Sequence, residues 1–162
     1  MYKLLFDSDA LIKASKAEFL GKIAENFNIS ITEDVYNETV KEGKKGFYQD
    51  ADKIENFVNV GRIRVISKRH YKEKKLPEKN FGEGEKSTFQ AHKKGSLIVS
   101  DDLSFTSYIK KEDIKSLSSA HLIYVLVKKK KLSKGDAHYC LEKLRPYIRK
   151  EVYKSVKTDI GE

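Results

Sequence analysis

The sequence predicts an α/β fold built on a parallel sheet, and three observations carry that expectation. Leu4-Leu5-Phe6 is a short apolar run that stops at Asp7-Ser8-Asp9. Leu97-Ile98-Val99 repeats the pattern and stops at Ser100-Asp101-Asp102. Uninterrupted apolar runs bounded by polar residues read as strands buried on both faces. Segments of helical periodicity lie between these and further strand-like stretches, so strands and helices alternate along the chain.

The elements follow in order. After the first strand, Leu11, Ile12, Phe19, Leu20, Ile23, Ala24 and Phe27 recur at helical spacing, which predicts a helix from Ala10 to Asn26. Ile29-Ser30-Ile31 alternates as a short strand. Thr32 caps a helix running to about Glu42, with Val35, Tyr36, Thr39 and Val40 on one face and Gly43 as its stop. Gly43 to Gly46 is a turn, and Phe47 to Val58 is helical again. Gly61 breaks the chain before the alternating strand Arg62 to Ile66. Ser67 to Phe81 is a basic loop that carries Lys68, Arg69, His70, Lys72, Lys74, Lys75 and Pro77. Gly82-Glu83-Gly84-Glu85 opens a helix that stops at Gly95. Past the second acidic strand, Phe105 to Lys110 reads as a short helix and Ile114 to Leu117 as an edge strand. Ser118 or Ser119 caps a helix through Lys129, Ser133 caps another, Pro146 interrupts it, and Ile148 to Val156 is a terminal helix.

Bulk composition narrows the classes. At 162 residues the chain has the size of one domain with a proper core. Its 33 basic and 24 acidic side chains leave a net charge of +9, which favours a polyanionic partner such as nucleic acid. Cys140 is the only cysteine, so an intramolecular disulfide and a thiolate metal cluster are both excluded. It reads as a small buried hydrophobe. The chain enters a strand at once, with no signal peptide visible, and its apolar run Leu122 to Val127 is too short to span a bilayer. A cytoplasmic protein without membrane attachment is expected.

The chemistry lies in the acids. Two carboxylates after a buried strand sit where open parallel sheets place their ligand sites. Two such strands imply one acidic pocket, and an acidic pocket implies a hard divalent cation held by oxygen ligands. Carboxylates within about 4 Å of each other repel by roughly 4 kcal/mol per pair at an effective dielectric of 20, so a cation or a shared proton must neutralise them. Asp7 is the strongest candidate; the alternative is a cap for the helix after Ala10, a job Asp9 could do equally well. Asp9 could do either job. Glu38 sits among apolar neighbours on a helix, and a surface glutamate is its commoner fate. Glu83 and Glu85 begin a helix, where the dipole alone favours acids. Of Asp101 and Asp102, one can cap the next helix and leave the other for metal.

Other chemistries fit poorly. His70, His92, His121 and His138 form no i, i+4 pair for zinc. Gly82 to Glu85 lacks the Lys-Ser/Thr ending of a phosphate-cradling loop, and no serine sits on a nucleophile elbow. Lys44, Lys45, Lys68, Arg69 and Lys72 are the candidate phosphate contacts.

The order of these motifs resembles the PIN-domain family, the fold of VapC-type toxin ribonucleases and their prokaryotic relatives. Leu5-Phe6-Asp7-Ser8-Asp9 resembles the family's first motif, a strand ending in Asp, Ser/Thr, then Asn or Asp. Ile31-Thr32-Glu33-Asp34-Val35-Tyr36-Asn37-Glu38 is similar to the second, a glutamate on a helix after a short strand. Gly82-Glu83-Gly84-Glu85 and Val99-Ser100-Asp101-Asp102 are similar to the third and fourth. The likeness covers nearly the whole chain, with residues 118–162 similar to a helical extension of some members. Asp9 stands where many members have Asn, and the third acid is Glu rather than Asp.

The resemblance implies a single three-layer α/β/α domain over residues 1–162, with a mostly parallel sheet of four or five strands. It implies a Mg²⁺- or Mn²⁺-dependent endoribonuclease that cleaves single-stranded RNA, with Asp7, Glu38, Glu85 and Asp102 holding the metal and Asp9 and Asp101 as rivals. Glu85 matches the third acid better than Glu83. Ser8 and Ser100 would orient the carboxylates by hydrogen bonding. A toxin role would bring a small antitoxin partner, and a homodimer is expected. The alternatives are a PIN-like module that binds RNA or protein with little catalysis, and a DNA- or structure-specific nuclease using the same site.

Overall fold

The computed structural model describes residues 2–46, 48–74, 76 and 81–161. Its centre is a five-stranded sheet of β1 (Lys3–Phe6), β2 (Asn28–Thr32), β3 (Ile63–Ile66), β4 (Ser96–Val99) and β5 (Ser116–Leu117). The strands lie in the order β3-β2-β1-β4-β5. All four pairings are parallel, as the alternation of strands and helices predicts. The chain builds outward from β1 through β2 to β3, then returns to the other side of β1 to place β4. The order therefore reverses between β1 and β4, and open α/β sheets form their ligand crevice at the carboxyl ends beside such a reversal.

Helices cover the sheet on both sides. One face presents Leu4, Phe6, Ile29, Ile31, Ile63 and Val99 to the larger core. That core is filled by α1 (Ser8–Lys16), α2 (Leu20–Asn26), α7 (Ser119–Lys128), α8 (Lys134–Leu144) and α9 (Lys150–Ile160). The C-terminal helices thus share the main core: Leu122, Ile123, Leu141 and Val156 are among its buried members. Cys140 is buried there too, and burial pushes its thiol up to about 11. The opposite face offers Leu5 and Ile98 to a smaller core with Phe89 of α5 (Glu83–Ala91) and Phe105 and Ile109 of α6 (Leu103–Lys111). Phe81 closes it, edge-on to Phe105 at 5.6 Å.

Several expected boundaries are corrected. The helix expected from Ala10 to Asn26 is two helices. Glu18, at φ 64°, reverses the chain between them, and the Phe19 N–H closes back on Ala14 O at 3.1 Å. This ending drives Phe19 into the core, where it is fully buried. Its ring fixes a left-handed residue that glycine would ordinarily occupy. The helix capped by Thr32 does not stop at Gly43. It opens as Glu33–Tyr36, widens into a π-helical turn over Asn37–Lys41 and closes as Glu42–Lys45; together these form α3 (33–45). The next helix, α4, spans Gln49–Asn59, and the expected start at Phe47 lies outside the described residues. So do Lys75 and Pro77 of the basic loop. Ser118, rather than Ser119, caps α7 through the His121 N–H at 3.2 Å. Among the described residues no helix is long and apolar enough to cross a membrane.

Candidate functional site

Asp7, Ser8, Asp9, Glu38, Gly82, Gly84, Glu85, Asp101 and Asp102 line one cavity of about 330 Å³ at the carboxyl ends of β1 and β4. Four elements remote in sequence deliver these side chains. Asp7 follows β1 directly and is 3 % exposed. It caps α1 by accepting the Ala10 N–H at 3.0 Å, so capping and lining the cavity fall to the same residue. Burial raises its carboxyl to about 7, further raised by Asp9 and Asp101 and held back by hydrogen bonds from Ser100 and Ala10. The Ser100 hydroxyl also accepts the Asp102 N–H at 3.2 Å, so one serine ties the ends of both acidic strands together.

Glu38 comes from the π-helical turn of α3, a local widening often found at functional positions. Its Oε2 accepts from Ser8 Oγ at 2.5 Å and its Oε1 from the Gly84 N–H at 2.8 Å. Gly84 is required there: a Cβ on it would lie 2.8 Å from Glu38 Oε2 and 2.9 Å from Ser8 Oγ. The peptide around Gly84 is anchored from behind, because its carbonyl accepts from Ser87 Oγ at 2.9 Å and Thr88 Oγ1 at 2.6 Å. Ser87 in turn meets Thr32 Oγ1 at 2.6 Å, linking the start of α3 to the middle of α5.

The first turn of α5 separates the two glutamates. Glu83 points outward to Lys86 at 3.4 Å, while Glu85 turns into the cavity. Glu85 Oε2 is buried without a hydrogen-bond partner among the described residues. Burial lifts the Glu85 carboxyl above its usual range, and Asp102, Glu38 and Asp9 add to the rise against the Gly82 backbone contact. Asp102 caps α6 through the Phe105 N–H at 2.8 Å. Asp101 is engaged on the other side, accepting the Ser119 N–H at 2.8 Å and Ser119 Oγ at 2.6 Å.

Sequence reasoning missed Lys13. Its ammonium, on a side chain only 13 % exposed, lies 2.7 Å from Asp9 and 3.3 Å from Asp101. Burial pulls its pKa down, but the two carboxylates outweigh burial and hold it above the ordinary lysine range. The i, i+4 spacing from Asp9 was a visible signal. Gly84 was also missed, and its signal was a glycine between two helix-opening acids.

The expected phosphate contacts stand apart from the cavity. Lys44 pairs with Glu55 at 2.6 Å, Lys45 with Glu42 at 3.7 Å and Lys68 with Asp34 at 3.6 Å. Arg69 Nε donates to His70 at 3.3 Å, and Lys72 is exposed. None of the five lines the acidic cavity.

The cavity suits a hard cation by its chemistry. Every side-chain donor lining it is an oxygen, two carboxyls are raised by burial and crowding, and Glu85 Oε2 is a buried acceptor with no donor among the described residues. Among the described residues, no three acidic, His or Cys side chains already stand in ligand geometry.

The carboxylates gather where an open parallel α/β sheet forms its ligand crevice. The chain belongs to the PIN-domain family: a family model described as a PIN domain matches residues 3–162, C-terminal helices included. PIN domains are generally nucleases and typically use divalent metals. Comparison with curated proteins gives no match.

Proposed function

We propose that this protein is a Mg²⁺- or Mn²⁺-dependent endoribonuclease acting on single-stranded RNA in the cytoplasm. The observation that carries the reading is the buried, unpartnered Oε2 of Glu85 in a cavity shared with Asp7, Glu38 and Asp102. These four would hold the cation. When bound, the ion neutralises the crowded carboxylates, activates water and stabilises charge on the phosphoryl oxygens in flight. The chain's own groups do the positioning. Ser8 and the Gly84 N–H fix both oxygens of Glu38. Ser100 orients Asp7 from one side and the Asp102 backbone from the other. Lys13 offsets Asp9 and Asp101, leaving the other four acids to face the cation and substrate. A recessed acidic cavity suits a flexible single strand, which can enter where a duplex cannot. The toxin reading, with a small antitoxin-like protein over the acidic groove, belongs to this proposal and rests on the family alone.

Asp7→Asn is expected to abolish metal-dependent cleavage of a labelled single-stranded RNA while the circular dichroism spectrum stays native. Full activity in that variant would overturn the assignment. One observation favours a second reading, an RNA-binding module with little catalysis: both oxygens of Glu38 and of Asp101 already accept protein hydrogen bonds. Mn²⁺ titration followed by thermal unfolding separates the two. Stabilisation that EDTA removes supports the enzyme, and no response supports the binding module.

A further inference from the structure

The amino end of the same sheet carries the opposite charge. On β2 and β3, Ile29, Ile31 and Ile63 are buried in the larger core, while Asn28, Arg62 and Arg64 between and beside them are exposed. Parallel strands covered by helices on both faces are apolar almost throughout. Here Asn28, Arg62 and Arg64 stand exposed at the amino end of one face of β2 and β3, while Thr32 and Ile66 further along that face meet α5 and the smaller core. A cavity of about 660 Å³ occupies it, lined by Lys3, Arg62, Arg64, Lys93 and Lys94 with a single carboxylate, Glu25. Register brings these bases together: Lys3 is paired with Asn28 on one side and Ser96 on the other, and Ser30 with Arg64. None of the five is ion-paired to a described carboxylate, whereas Lys44, Lys45 and Lys68 all are. Glu25 is itself exposed and lies 3.7 Å from Lys22.

We propose that this basic cavity holds the phosphodiester backbone of the RNA strand that the acidic crevice acts on. The identity of the polyanion rests on the nuclease reading above; the site itself rests on the cavity and on cations that no described carboxylate pairs. From β3 to β4 is three strand spacings, about 14 Å, which is too broad for one phosphate and matches several in succession. Strands of this length separate the two ends of the sheet by only about 13–16 Å. A short single strand therefore reaches from one end to the other. The two arginines supply paired N–H donors suited to phosphate oxygens, and the lysines supply point charges around them.

The test is anisotropy of a fluorescein-labelled single-stranded RNA, titrated with protein in EDTA over a series of salt concentrations. Arg62→Ala/Arg64→Ala/Lys93→Ala/Lys94→Ala is expected to raise Kd by about tenfold or more and to flatten the log–log salt slope by roughly 2–3. Lys44→Ala/Lys45→Ala/Lys68→Ala is expected to change Kd by less than about twofold, since those cations are already paired. Unchanged affinity and slope in the first variant, or equal losses in both, would overturn the proposal. If thermal unfolding shows that the fourfold variant does not fold, Lys93→Glu/Lys94→Glu on the turn before β4 gives the same reading. EDTA removes cation-dependent cleavage from the measurement. The result therefore stands whether or not Asp7→Asn abolishes activity, and the two proposals fail separately.

Discussion

The two ends of one short sheet are built on opposite rules. At the carboxyl end, the acids converge on one cavity, with Asp7 buried and Glu85 and Asp101 half-buried, and they are tied to helix N-termini, serine hydroxyls and a lysine. At the amino end, bases stand exposed with no ion-pair partner among the described residues. The glycines show the same contrast. A side chain at Gly84 would strike Glu38 and Ser8, whereas Gly61 and Gly95, beside the basic cavity, have open space around them and are required only by their backbone angles, φ 78° and 92°. Like charges forced together at one end store unfavourable energy that a cation can relieve. Like charges spread in solvent at the other end cost little until a polyanion arrives. The first arrangement demands exact positioning and the second only proximity, so substitutions should be felt unequally.

The largest expected difference concerns Asp7. Its carboxyl titrates at about 7 in the folded protein against an ordinary value of 3.8. Between those values the folded state binds the proton that the unfolded state has released. Stability in EDTA should therefore fall as pH rises from about 4 to 7 and level off above. Asp7→Asn removes the penalty and keeps an acceptor for the Ala10 N–H. It should be more stable than the parent at pH 8 by about 2–4 kcal/mol, with the gain vanishing toward pH 4. Glu85 shifts in the same direction but is common to both proteins and cancels in the difference. Chemical denaturation of the two proteins across this pH range is the measurement. Parallel stability curves would show that the acidic end stores no such energy.

Gly84→Ala comes next. A methyl group there displaces Glu38 or Ser8 by a few tenths of an ångström at least, because both lie within 3.0 Å of the added carbon. Cleavage should fall about tenfold to a hundredfold, the usual cost of misplacing a group that orients a ligand. Helix propensity would favour alanine by about 1 kcal/mol, and overpacking costs about 1–3, so a net destabilisation of about 1 kcal/mol is expected. Single-turnover cleavage and urea denaturation read the two effects. Unchanged cleavage would mean that Glu38 can move without consequence.

The sheet and the place of the acids were legible because both follow from short-range patterning. Apolar runs that end in carboxylates marked β1 and β4, and alternation marked β2 and β3. Asp7, Glu38, Glu85 and Asp102, chosen from those patterns and from the family likeness, line one cavity. Local geometry was not legible. Four residues cannot distinguish a helical turn of 3.6 residues from the wider turn at Asn37–Lys41 that carries Glu38. A left-handed Glu18 gives no sign in composition, since the burial of Phe19 imposes it. Periodicity sets relative facing along a helix but not its rotation against the sheet, so pattern alone left Glu83 and Glu85 together; the family likeness preferred Glu85, which the fold turns into the cavity. The alternation of Arg62, Ile63 and Arg64 announced a strand. That Arg62 and Arg64 stay exposed while Ile66 is covered depends on where α5 and α6 lie, which no local pattern states.

Lys13→Met is the subtlest way to sharpen the contrast, because it removes charge and keeps volume. Lys13 bridges Asp9 and Asp101 at the acidic end. Without it the two carboxylates lose their shared counter-charge, and a stability loss of about 1 kcal/mol in EDTA is expected, discounted because Asp9 is largely exposed. The site becomes more negative by one charge, so Mn²⁺ should bind severalfold more tightly in a thermal-shift titration. RNA affinity in EDTA should weaken by less than about twofold, since Lys13 is not among the unpaired bases at the amino end. Weaker Mn²⁺ binding would mean that Lys13 holds Asp9 and Asp101 in a geometry the cation needs, and that positioning outweighs net charge even at this end of the sheet.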